Sequence, residues 1–379
     1  MRSVGVIRDR KGRTVKGRRK KRVGIVSVGK YMPHAVLANS DLVEIVDTSD
    51  EWIIERTGIR ERRVVANGER QSDLAERASR EALARVGWSP QDLDMIIVGT
   101  VTPDHLFPSS ANTLAGKLGA IGTPSFDVLA ACSGFLYALY QGMTVIESGR
   151  AKRVLVVGCD VMTSITNWDD RATCVLFGDG AGAILLEEVD EPLGIVDIVI
   201  GSDGRYFDLL NMPAGGSACP ATHETVDKRM HKLHMQGKET YKLAVRIMEE
   251  VSTQLMDSCH VKSRDLACFI GHQANLRIIE AVTKRLGLKP EQVHNNIERY
   301  GNTTSATIPT CLYEAEMERK IKKGDWVLLV TFGAGLTWGG ALMRWAADPL
   351  PILEEAAVAD AVAGSYPEKL RPGRDWLKL

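Results

Sequence analysis

The sequence has no long apolar run and no paired cysteine motif, and each absence excludes a class of protein. No window of about eighteen consecutive apolar residues occurs in the 379 residues, so a membrane-spanning helix is not expected. The seven cysteines form no CxxC pair and have no metal-ligand spacing, which argues against a zinc site and a disulfide framework. We therefore expect reduced thiols, no bound metal and a cytoplasmic protein.

A net charge is also missing, since 48 Lys and Arg residues balance 48 Asp and Glu residues. The distribution is nevertheless uneven, because residues 1–22 hold eleven basic side chains and only one acid, Asp9. This head lacks the apolar stretch of a secretory signal and the serine content of an organelle transit peptide. We expect residues 1–21 to be a disordered basic extension with no nucleic-acid partner; electrostatic binding to nucleic acid or another acidic partner is the alternative.

From residue 22 onward, near-continuous apolar strands alternate with amphipathic helices. This alternation predicts an α/β fold with a mostly parallel sheet buried on both faces. The stretches KRVLVVGCDV and LFGDGAGAILLEE are echoed roughly 170 residues later by DWVLLVTFGAGLTWGGALMRW, which predicts an internal duplication. The predicted halves are 22–192 and 193–346. Residues 202–240 resemble an irregular insertion, and 347–379 form a C-terminal extension.

Three side chains lie at junctions that suit catalysis. Cys132 lies between the apolar strand SFDVLAAC and a long helical run, and the N-terminus of a helix favours a thiolate and lowers its pKa. His272 ends the strand LACFIGH, and Asn302 lies in the turn RYGNTTSATIP. A thiol, an imidazole and an amide together indicate acyl transfer through a thioester. Taken singly, each has a plainer interpretation, as a buried apolar cysteine, a structural histidine and a turn-forming asparagine.

Six motifs carry a resemblance to a known family. They are VDTSDEWIIERTGIRER, DVLAACSGF, FGDGAGA, GHQANLRI, GNTTSA and FGAGLTWG. In this order and spacing, residues from about 22 to 346 resemble the thiolase-like condensing enzymes, and among them the β-ketoacyl-acyl-carrier-protein synthase III family. The resemblance implies a five-layered αβαβα sandwich built from two duplicated α/β halves, and a homodimer. It implies no metal and no organic cofactor.

The resemblance also implies roles for particular residues. Cys132 would be the nucleophile, and His272 and Asn302 would hydrogen-bond the thioester oxygen of malonyl-carrier protein. The positions that match the family's CoA and pantetheine contacts are Thr48, Trp52, Arg56, Arg171, Gly237 and Asn275. Those that match the acyl pocket are Phe107, which would close the pocket of the neighbouring subunit, and Ala334, which replaces a family glycine. The basic positions that would meet the acidic carrier protein are Arg277, Lys284 and Arg285.

The implied reaction initiates fatty acid synthesis. An acyl-CoA acylates Cys132, and decarboxylative condensation with malonyl-carrier protein gives the β-ketoacyl product. Asn302 argues against an elongating enzyme, which carries His there, and a C-terminal turn without cysteine argues against a thiolase. The alternatives are a relative that primes polyketide or other secondary-metabolite synthesis and a non-catalytic scaffold that binds acyl-CoA. The residues alone also permit Trp52 as a core anchor and surface ion pairs for Arg56 and Arg171.

Overall fold

The computed structural model describes residues 21–348, so the basic extension before Lys21 and the tail beyond Asp348 lie outside the described residues. The strands are β1 (Lys21–Tyr31), β2 (Ala35–Ala38), β3 (Glu61–Val64), β4 (Met95–Gly99), β5 (Ser125–Val128), β6 (Val154–Val161), β7 (Asp179–Asp190), β8 (Gly194–Ser202), β9 (Leu210–Asn211), β10 (His234–Met235), β11 (Leu266–Gly271), β12 (Trp326–Gly333) and β13 (Thr337–Arg344). The helices are α1 (Asn39–Val43), α2 (Asp50–Thr57), α3 (Gln71–Val86), α4 (Ser110–Leu118), α5 (Gly134–Glu147), α6 (Arg171–Cys174), α7 (His223–Asp227), α8 (Gly237–Ser258), α9 (Leu276–Arg285), α10 (Ile297–Tyr300) and α11 (Thr307–Met317). Between Lys21 and Asp348, no helix combines the length and hydropathy that crossing a bilayer requires.

Two mixed sheets form the framework. One has the strand order β1-β7-β6-β4-β5 and the other β11-β12-β13-β8. β4 runs parallel to β5 and β6, whereas β7 runs antiparallel to both of its neighbours. The prediction of a mostly parallel sheet is wrong here, because apolar strands buried on both faces look alike in sequence whichever way their neighbours run. At β12–β13, a three-residue connection forces the antiparallel pairing.

The two sheets repeat one pattern. In the first, a parallel pair (β4 and β6) is followed by two antiparallel neighbours (β7 and β1). In the second, a parallel pair (β11 and β12) is followed in the same way by β13 and β8. The duplicated architecture expected from the sequence echo therefore holds at the level of strand order. The boundaries at 192 and 193 stay predictions.

Five layers result from how the helices pack. α5 and α11 lie between the sheets: α5 contacts β4 and β6 on one side and β13 and β8 on the other, and α11 contacts β1, β7 and β11. Their apolar side chains, among them Phe135, Leu139, Ile308 and Leu312, belong to one core that includes strands of both sheets. α3 and α4 cover the outer face of the first sheet, and α8 covers that of the second together with α9. The layering brings the turn before α5 into contact with the turn before α11.

Close packing at one glycine sets the start of α5. A Cβ on Gly99, at the end of β4, would lie 2.5 Å from the carbonyl carbon of Gly134, the first residue of α5. Only a residue without a side chain lets the helix begin so near the strand. The turn before Gly134, which contains Cys132, is therefore held against the carboxyl end of the sheet.

A buried ion cluster on α11 joins the halves. Glu314 accepts hydrogen bonds from Lys30 on β1 (2.7 Å), Tyr300 (3.0 Å) and Arg299 (2.9 Å). The side chain of Glu314 is only 7% exposed, so its charge depends on these partners for stabilisation. The cluster fixes α11 and the residues before it relative to β1.

Candidate active site

A cavity of about 1040 Å³ opens between the two halves, and Cys132, His272 and Asn302 all line it. The three residues come from widely separated parts of the chain. Each lies at the end of a strand or in a turn before a helix, as the sequence indicates. The fold therefore brings the three predicted catalytic positions together.

Cys132 lies in a single 3-10 turn, Ala131–Ser133, that leads into α5. Its carbonyl oxygen accepts a hydrogen bond from Oγ1 of Thr331 on β12 at 2.8 Å. A Cβ on Gly333, at the end of the same strand, would lie 2.9 Å from the backbone nitrogen of Cys132. Ala131 has a φ of +48°, a conformation that costs a non-glycine residue roughly 1–3 kcal/mol. The turn is thus held in a strained form by β12.

The ionisation of Cys132 departs from the prediction. Burial raises the pKa of its thiol to about 12, and the negative charge of Asp160 adds to the rise. The expectation that the helix N-terminus lowers the pKa is wrong for this resting state, because the buried sulfur has lost most of the water that would solvate a thiolate. The thiol is therefore protonated before substrate enters.

His272 follows β11 and is buried behind the cavity surface. Its backbone N–H donates to the carbonyl of Val330 at 2.9 Å, and its Nδ1 lies 2.7 Å from Oγ1 of Thr307. Burial lowers the pKa of His272 to about 3, so the imidazole is neutral at physiological pH. It is thus available as a neutral hydrogen-bonding group and supplies no positive charge to Cys132.

Asn302 is held by a short strand-like pairing and by its own turn. Its N–H donates to Leu176 at 2.8 Å, and its carbonyl accepts from Gly178 at 3.1 Å. The side-chain Oδ1 accepts the N–H of Thr304 at 2.9 Å. Thr304 has a φ of +53°, which is unusual for a β-branched residue and marks a strained turn. The amide nitrogen of Asn302 is the remaining donor.

Asp160, a residue that the sequence analysis missed, connects these parts. Its Oδ1 accepts hydrogen bonds from Thr100, Val101 and Thr102, and its Oδ2 accepts from the N–H (3.1 Å) and hydroxyl (2.6 Å) of Ser305. Burial raises the pKa of Asp160 in spite of these donors. A lone acid after the apolar run VLVVGC is the signal that would have identified it. It ties the ends of β4 and β6 to the turn that holds Asn302.

The expected CoA positions divide into two groups. Trp52, Arg56, Gly237 and Asn275 line the cavity, while Thr48 and Arg171 do not. Arg171 nonetheless lies nearby, because its guanidinium stacks over the Trp52 ring at 4.9 Å and donates to the Asp47 carbonyl at 2.7 Å. Arg56 lies over the same ring at 5.5 Å. Within residues 21–348, the buried hydroxyl of Thr48 has no hydrogen-bond partner.

Asn275 has a structural role as well as its place in the cavity wall. Its Oδ1 caps α9 by accepting the N–H of Arg277 at 2.9 Å, and its Nδ2 donates to the Arg56 carbonyl at 2.9 Å. One N–H of the amide is then left for a ligand. Asn275 thereby links α9 to the end of α2.

The remaining predicted residues differ in their exposure. Ala334 lines the cavity, but Phe107 does not and is 85% exposed. On α9, Arg277 lines the cavity mouth, Lys284 is exposed, and Arg285 forms an ion pair with Glu249 at 2.7 Å. Arg285 is therefore already paired with an acid, whereas the sequence could not distinguish it from Arg277 and Lys284.

The segment predicted as an irregular insertion supplies much of the cavity wall. Its apolar contributors are Phe207, Leu210, Met212, Leu233 and Met235. At the mouth, Lys238 and Lys242 of α8 add basic charge that the sequence analysis missed. A basic residue every fourth position on an amphipathic helix is the available signal, and by itself it is typical of any solvated helix face.

No group of three or more His, Cys, Asp or Glu side chains placed to hold a metal ion occurs within residues 21–348. The site therefore consists of a thiol, a neutral imidazole, an amide and a largely apolar wall. Such a set can form a thioester and can hydrogen-bond a developing oxyanion.

Comparisons with known proteins show which family the chain is similar to. Two family models match, "3-Oxoacyl-[acyl-carrier-protein (ACP)] synthase III" over residues 126–204 and its C-terminal counterpart over residues 256–345. A beta-ketoacyl-[acyl-carrier-protein] synthase III of Solibacter usitatus is 50% identical over 85% of this chain and 98% of its own. The crystal structure of 3-oxoacyl-[acyl-carrier-protein] synthase III from Aquifex aeolicus superposes with a TM-score of 0.79 at 42% identity, covering 85% of this chain and 100% of that one. The priming beta-ketosynthase of the R1128 polyketide pathway superposes with a TM-score of 0.80 at 34% identity, covering 89% and 99%.

The layered fold, which the chain shares with the Aquifex aeolicus structure, defines a thiolase-like condensing enzyme, as predicted. The chain belongs to the β-ketoacyl-[acyl-carrier-protein] synthase III family. It is an acyltransferase, and the predictions of family, fold class and a role in initiating fatty acid synthesis are confirmed.

Proposed function

We propose that this enzyme transfers the acyl group of an acyl-CoA to Cys132 and then condenses it with malonyl-carrier protein. The single observation that carries the proposal is that Cys132, His272 and Asn302 line one cavity. The proposal needs neither a metal nor an organic cofactor. Each half of the reaction uses a different part of the site.

In the first half, the sulfur of Cys132 attacks the thioester carbonyl. A bond forms between that sulfur and the acyl carbon, the bond to the CoA sulfur breaks, and the thiol proton leaves with CoA. The backbone N–H of Cys132, next to Gly333, and the N–H of Ala334 would stabilise the oxyanion. Because the resting thiol is protonated, we infer that ionisation accompanies binding or attack instead of preceding it.

In the second half, malonyl-carrier protein loses CO₂ and its enolate carbon forms a bond to the acyl carbon on Cys132. The bond from that carbon to the Cys132 sulfur breaks, and the released thiolate takes up a proton from solvent. The enolate oxygen would accept hydrogen bonds from Nε2 of His272 and Nδ2 of Asn302. The neutrality of His272 supports this role, because decarboxylation removes no proton and needs donors instead of a base. The role of Asn302 as a donor is supported by the hydrogen bond from the Thr304 N–H to Oδ1, because that bond occupies the amide oxygen and leaves the nitrogen for the substrate.

The nucleotide of CoA would be held at Trp52. Arg56 and Arg171 both lie over its ring, and guanidinium groups suit both a stacked adenine and a phosphate. Arg171 rests directly on the indole here, so an adenine that stacks on Trp52 must displace it. Gly237 and Asn275 would contact the pantetheine, since both line the same cavity as Trp52.

The acidic carrier protein would dock on the exposed face of α9. Arg277 at the cavity mouth and Lys284 are the principal contacts that we propose, with Lys238 of α8 beside them. Lys242 would contribute less, because it is paired with Glu239 at 2.9 Å. Arg285 would contribute less, because Glu249 neutralises it. Opposite charges at the rim of an interface speed association more than they tighten it.

A homodimer would bury an exposed apolar surface at the edge strand β5. Phe107, Ile121 and Leu129 are 81–85% exposed, and Phe126 on β5 is 38% exposed. An unpaired strand edge beside such a patch is a surface that proteins normally cover. In a second copy, Phe107 would reach the acyl pocket. Phe126→Asp should give monomers in sedimentation velocity, while Val226→Asp, a change at an exposed apolar residue outside this patch, should not.

A cytoplasmic location is part of the proposal. All seven cysteines are unpaired, and five of them are buried. Free thiols persist in a reducing compartment.

A panel of acyl-CoA substrates assayed with malonyl-carrier protein tests the function. Formation of β-ketoacyl-carrier protein, detected by mass spectrometry and lost in Cys132→Ser, is the expected result. A protein that binds acyl-CoA and never acylates Cys132 would be the non-catalytic scaffold. Condensation only with a carrier protein of polyketide synthesis would favour the priming alternative. The chain is 34% identical to the R1128 priming enzyme and 50% identical to the Solibacter relative, so the comparisons support fatty acid synthesis more strongly.

A further inference from the structure

A threonine lies directly behind the imidazole of His272. Oγ1 of Thr307 is 2.7 Å from Nδ1 of His272, and both residues are at most 2% exposed. Thr307 is the first residue of α11 and does not line the cavity. It can therefore affect the reaction only indirectly, through the residues that its hydroxyl contacts, His272 and Thr304.

The position of one proton decides what His272 can do. A neutral imidazole carries its proton on one nitrogen, and the other nitrogen accepts. If the Thr307 hydroxyl donates to Nδ1, the proton is on Nε2, which faces the cavity as a donor. If Nδ1 carries the proton and donates to Thr307, Nε2 presents a lone pair that would repel an enolate oxygen.

The turn before α11 favours the first arrangement. The hydroxyl of Thr307 is 2.9 Å from the carbonyl oxygen of Thr304, so it could donate there instead. That carbonyl already accepts the backbone N–H of Thr307, so the hydroxyl would be its second donor. Nδ1 is the nearer acceptor for the hydroxyl proton, at 2.7 Å against 2.9 Å.

We propose that Thr307 is a positioning residue whose hydroxyl donates to Nδ1 of His272 and keeps the proton on Nε2. The inference rests on the proposed role of His272 as a donor to the malonyl thioester oxygen. It explains why a hydroxyl is buried at this place: an aliphatic side chain of the same shape would leave Nδ1 without a partner. The same turn then orients both donors, Asn302 through Thr304 and His272 through Thr307.

The test uses the full-length enzyme and two kinds of measurement. Nitrogen-15 shifts of the histidine rings, with His272 identified by its absence in His272→Gln, should report a proton on Nε2 and a hydrogen-bonded Nδ1. Thr307→Val should lose the hydrogen-bonded Nδ1 shift and lower the condensation rate about tenfold, the equivalent of one hydrogen bond. Acylation of Cys132, followed by mass spectrometry, should persist, and Thr307→Ser should restore condensation to near the original rate.

Thr310→Val is the matched control, because its hydroxyl bonds the backbone carbonyls of Ala306 (2.8 Å) and Thr307 (3.1 Å) and not the Thr307 hydroxyl or the imidazole. It should leave both measurements unchanged. A proton on Nδ1 in the unmodified enzyme, normal condensation by Thr307→Val, or a Thr307→Ser variant as impaired as the valine variant would each overturn the inference. If Thr307→Val does not fold, the nitrogen-15 shifts of the unmodified enzyme decide. Normal condensation by His272→Ala would instead refute the proposed function.

Discussion

The backbone N–H of Thr304 donates to Oδ1 of Asn302 at 2.9 Å, and this hydrogen bond turns the amide so that its nitrogen is the free donor. Thr304 itself has a left-handed backbone, with a φ of +53°. An amide without such a contact could rotate and present its oxygen instead. The turn after Asn302 thereby sets the orientation of its amide.

Asn302→Ala should separate the two half-reactions. Loss of one oxyanion donor costs about 3 kcal/mol of barrier, so the condensation rate should fall about a hundredfold while acylation of Cys132 continues. Mass spectrometry of the acyl-enzyme and a coupled assay of β-ketoacyl product measure the two steps. Equal loss of both steps would contradict the role that we propose for the amide.

Alkylation of Cys132 should depend steeply on pH. Burial raises the pKa of the thiol to about 12, so only about one molecule in ten thousand is a thiolate at pH 8. The iodoacetamide rate at Cys132 should rise about tenfold per pH unit through pH 9 without a plateau. Peptide mapping gives the rate, and Cys219, which is partly exposed, is the internal comparison. A plateau below pH 8 would mean that the helix N-terminus prevails over burial.

Trp52→Ala should weaken the binding of substrates that carry the nucleotide and should not affect the binding of substrates that lack it. Removal of the stacking surface should raise KM for acetyl-CoA about tenfold or more, while acetyl-pantetheine is used as before. Trp88→Ala is the control, since Trp88 also carries a stacked arginine, Arg153 at 4.3 Å, but does not line the cavity. A parallel loss with acetyl-pantetheine would instead indicate that Trp52 stabilises α2.

Charge reversal on α9 should affect the carrier protein selectively. Arg277→Glu and Lys284→Glu should each raise KM for malonyl-carrier protein roughly three- to tenfold, and added salt should reduce the difference. Arg285→Gln should have a smaller effect because Glu249 already partners that guanidinium. Steady-state assays at two ionic strengths distinguish these cases. If all three changes raise KM equally, α9 does not act through its free charges.

The Glu314 cluster should make stability depend on acid pH. Burial opposes its charge, but His294, Lys30 and Arg299 outweigh burial and hold the pKa of Glu314 at about 2, against an ordinary 4.5. Because the folded pKa lies below the unfolded one, about 3 kcal/mol of stabilisation is complete above pH 5 and is lost as pH falls from 4.5 toward 2.

Urea unfolding at pH 7 and pH 3 measures this contribution of Glu314. Glu314→Gln should lower the free energy of unfolding at pH 7 and should flatten its dependence on pH. Glu298→Gln is the control, since it removes an exposed ion pair with Arg60 that contributes at most about 1 kcal/mol. An unchanged pH profile in Glu314→Gln would show that other carboxylates govern acid stability.

Much of the site was open to prediction because its signals are local. An apolar strand that leads into a helix marks the position of Cys132, and a strand end and a glycine-containing turn mark His272 and Asn302. The placement of these junctions at one cavity follows from the duplicated strand order, which the echo between the halves already indicated. The direction of neighbouring strands was not open to prediction, since strands buried on both faces have the same composition in either pairing.

Other features arise only when distant parts of the chain pack together. The thiol pKa of Cys132 depends on the loss of water and on the charge of Asp160, and neither is encoded next to Cys132. The segment 202–240 has no apolar periodicity, yet Phe207 and Leu233 from it complete the cavity wall.

The sequence by itself determined the family, the duplicated α/β plan and the three chemical groups of the site, because strand, turn and motif signals extend over only a few neighbouring residues. The tertiary structure alone decided the protonation of Cys132, the contact between Thr307 and His272 and the pairing of Arg285. Desolvation and hydrogen-bond partnership depend on every group within a few ångströms, and those groups come from all along the chain.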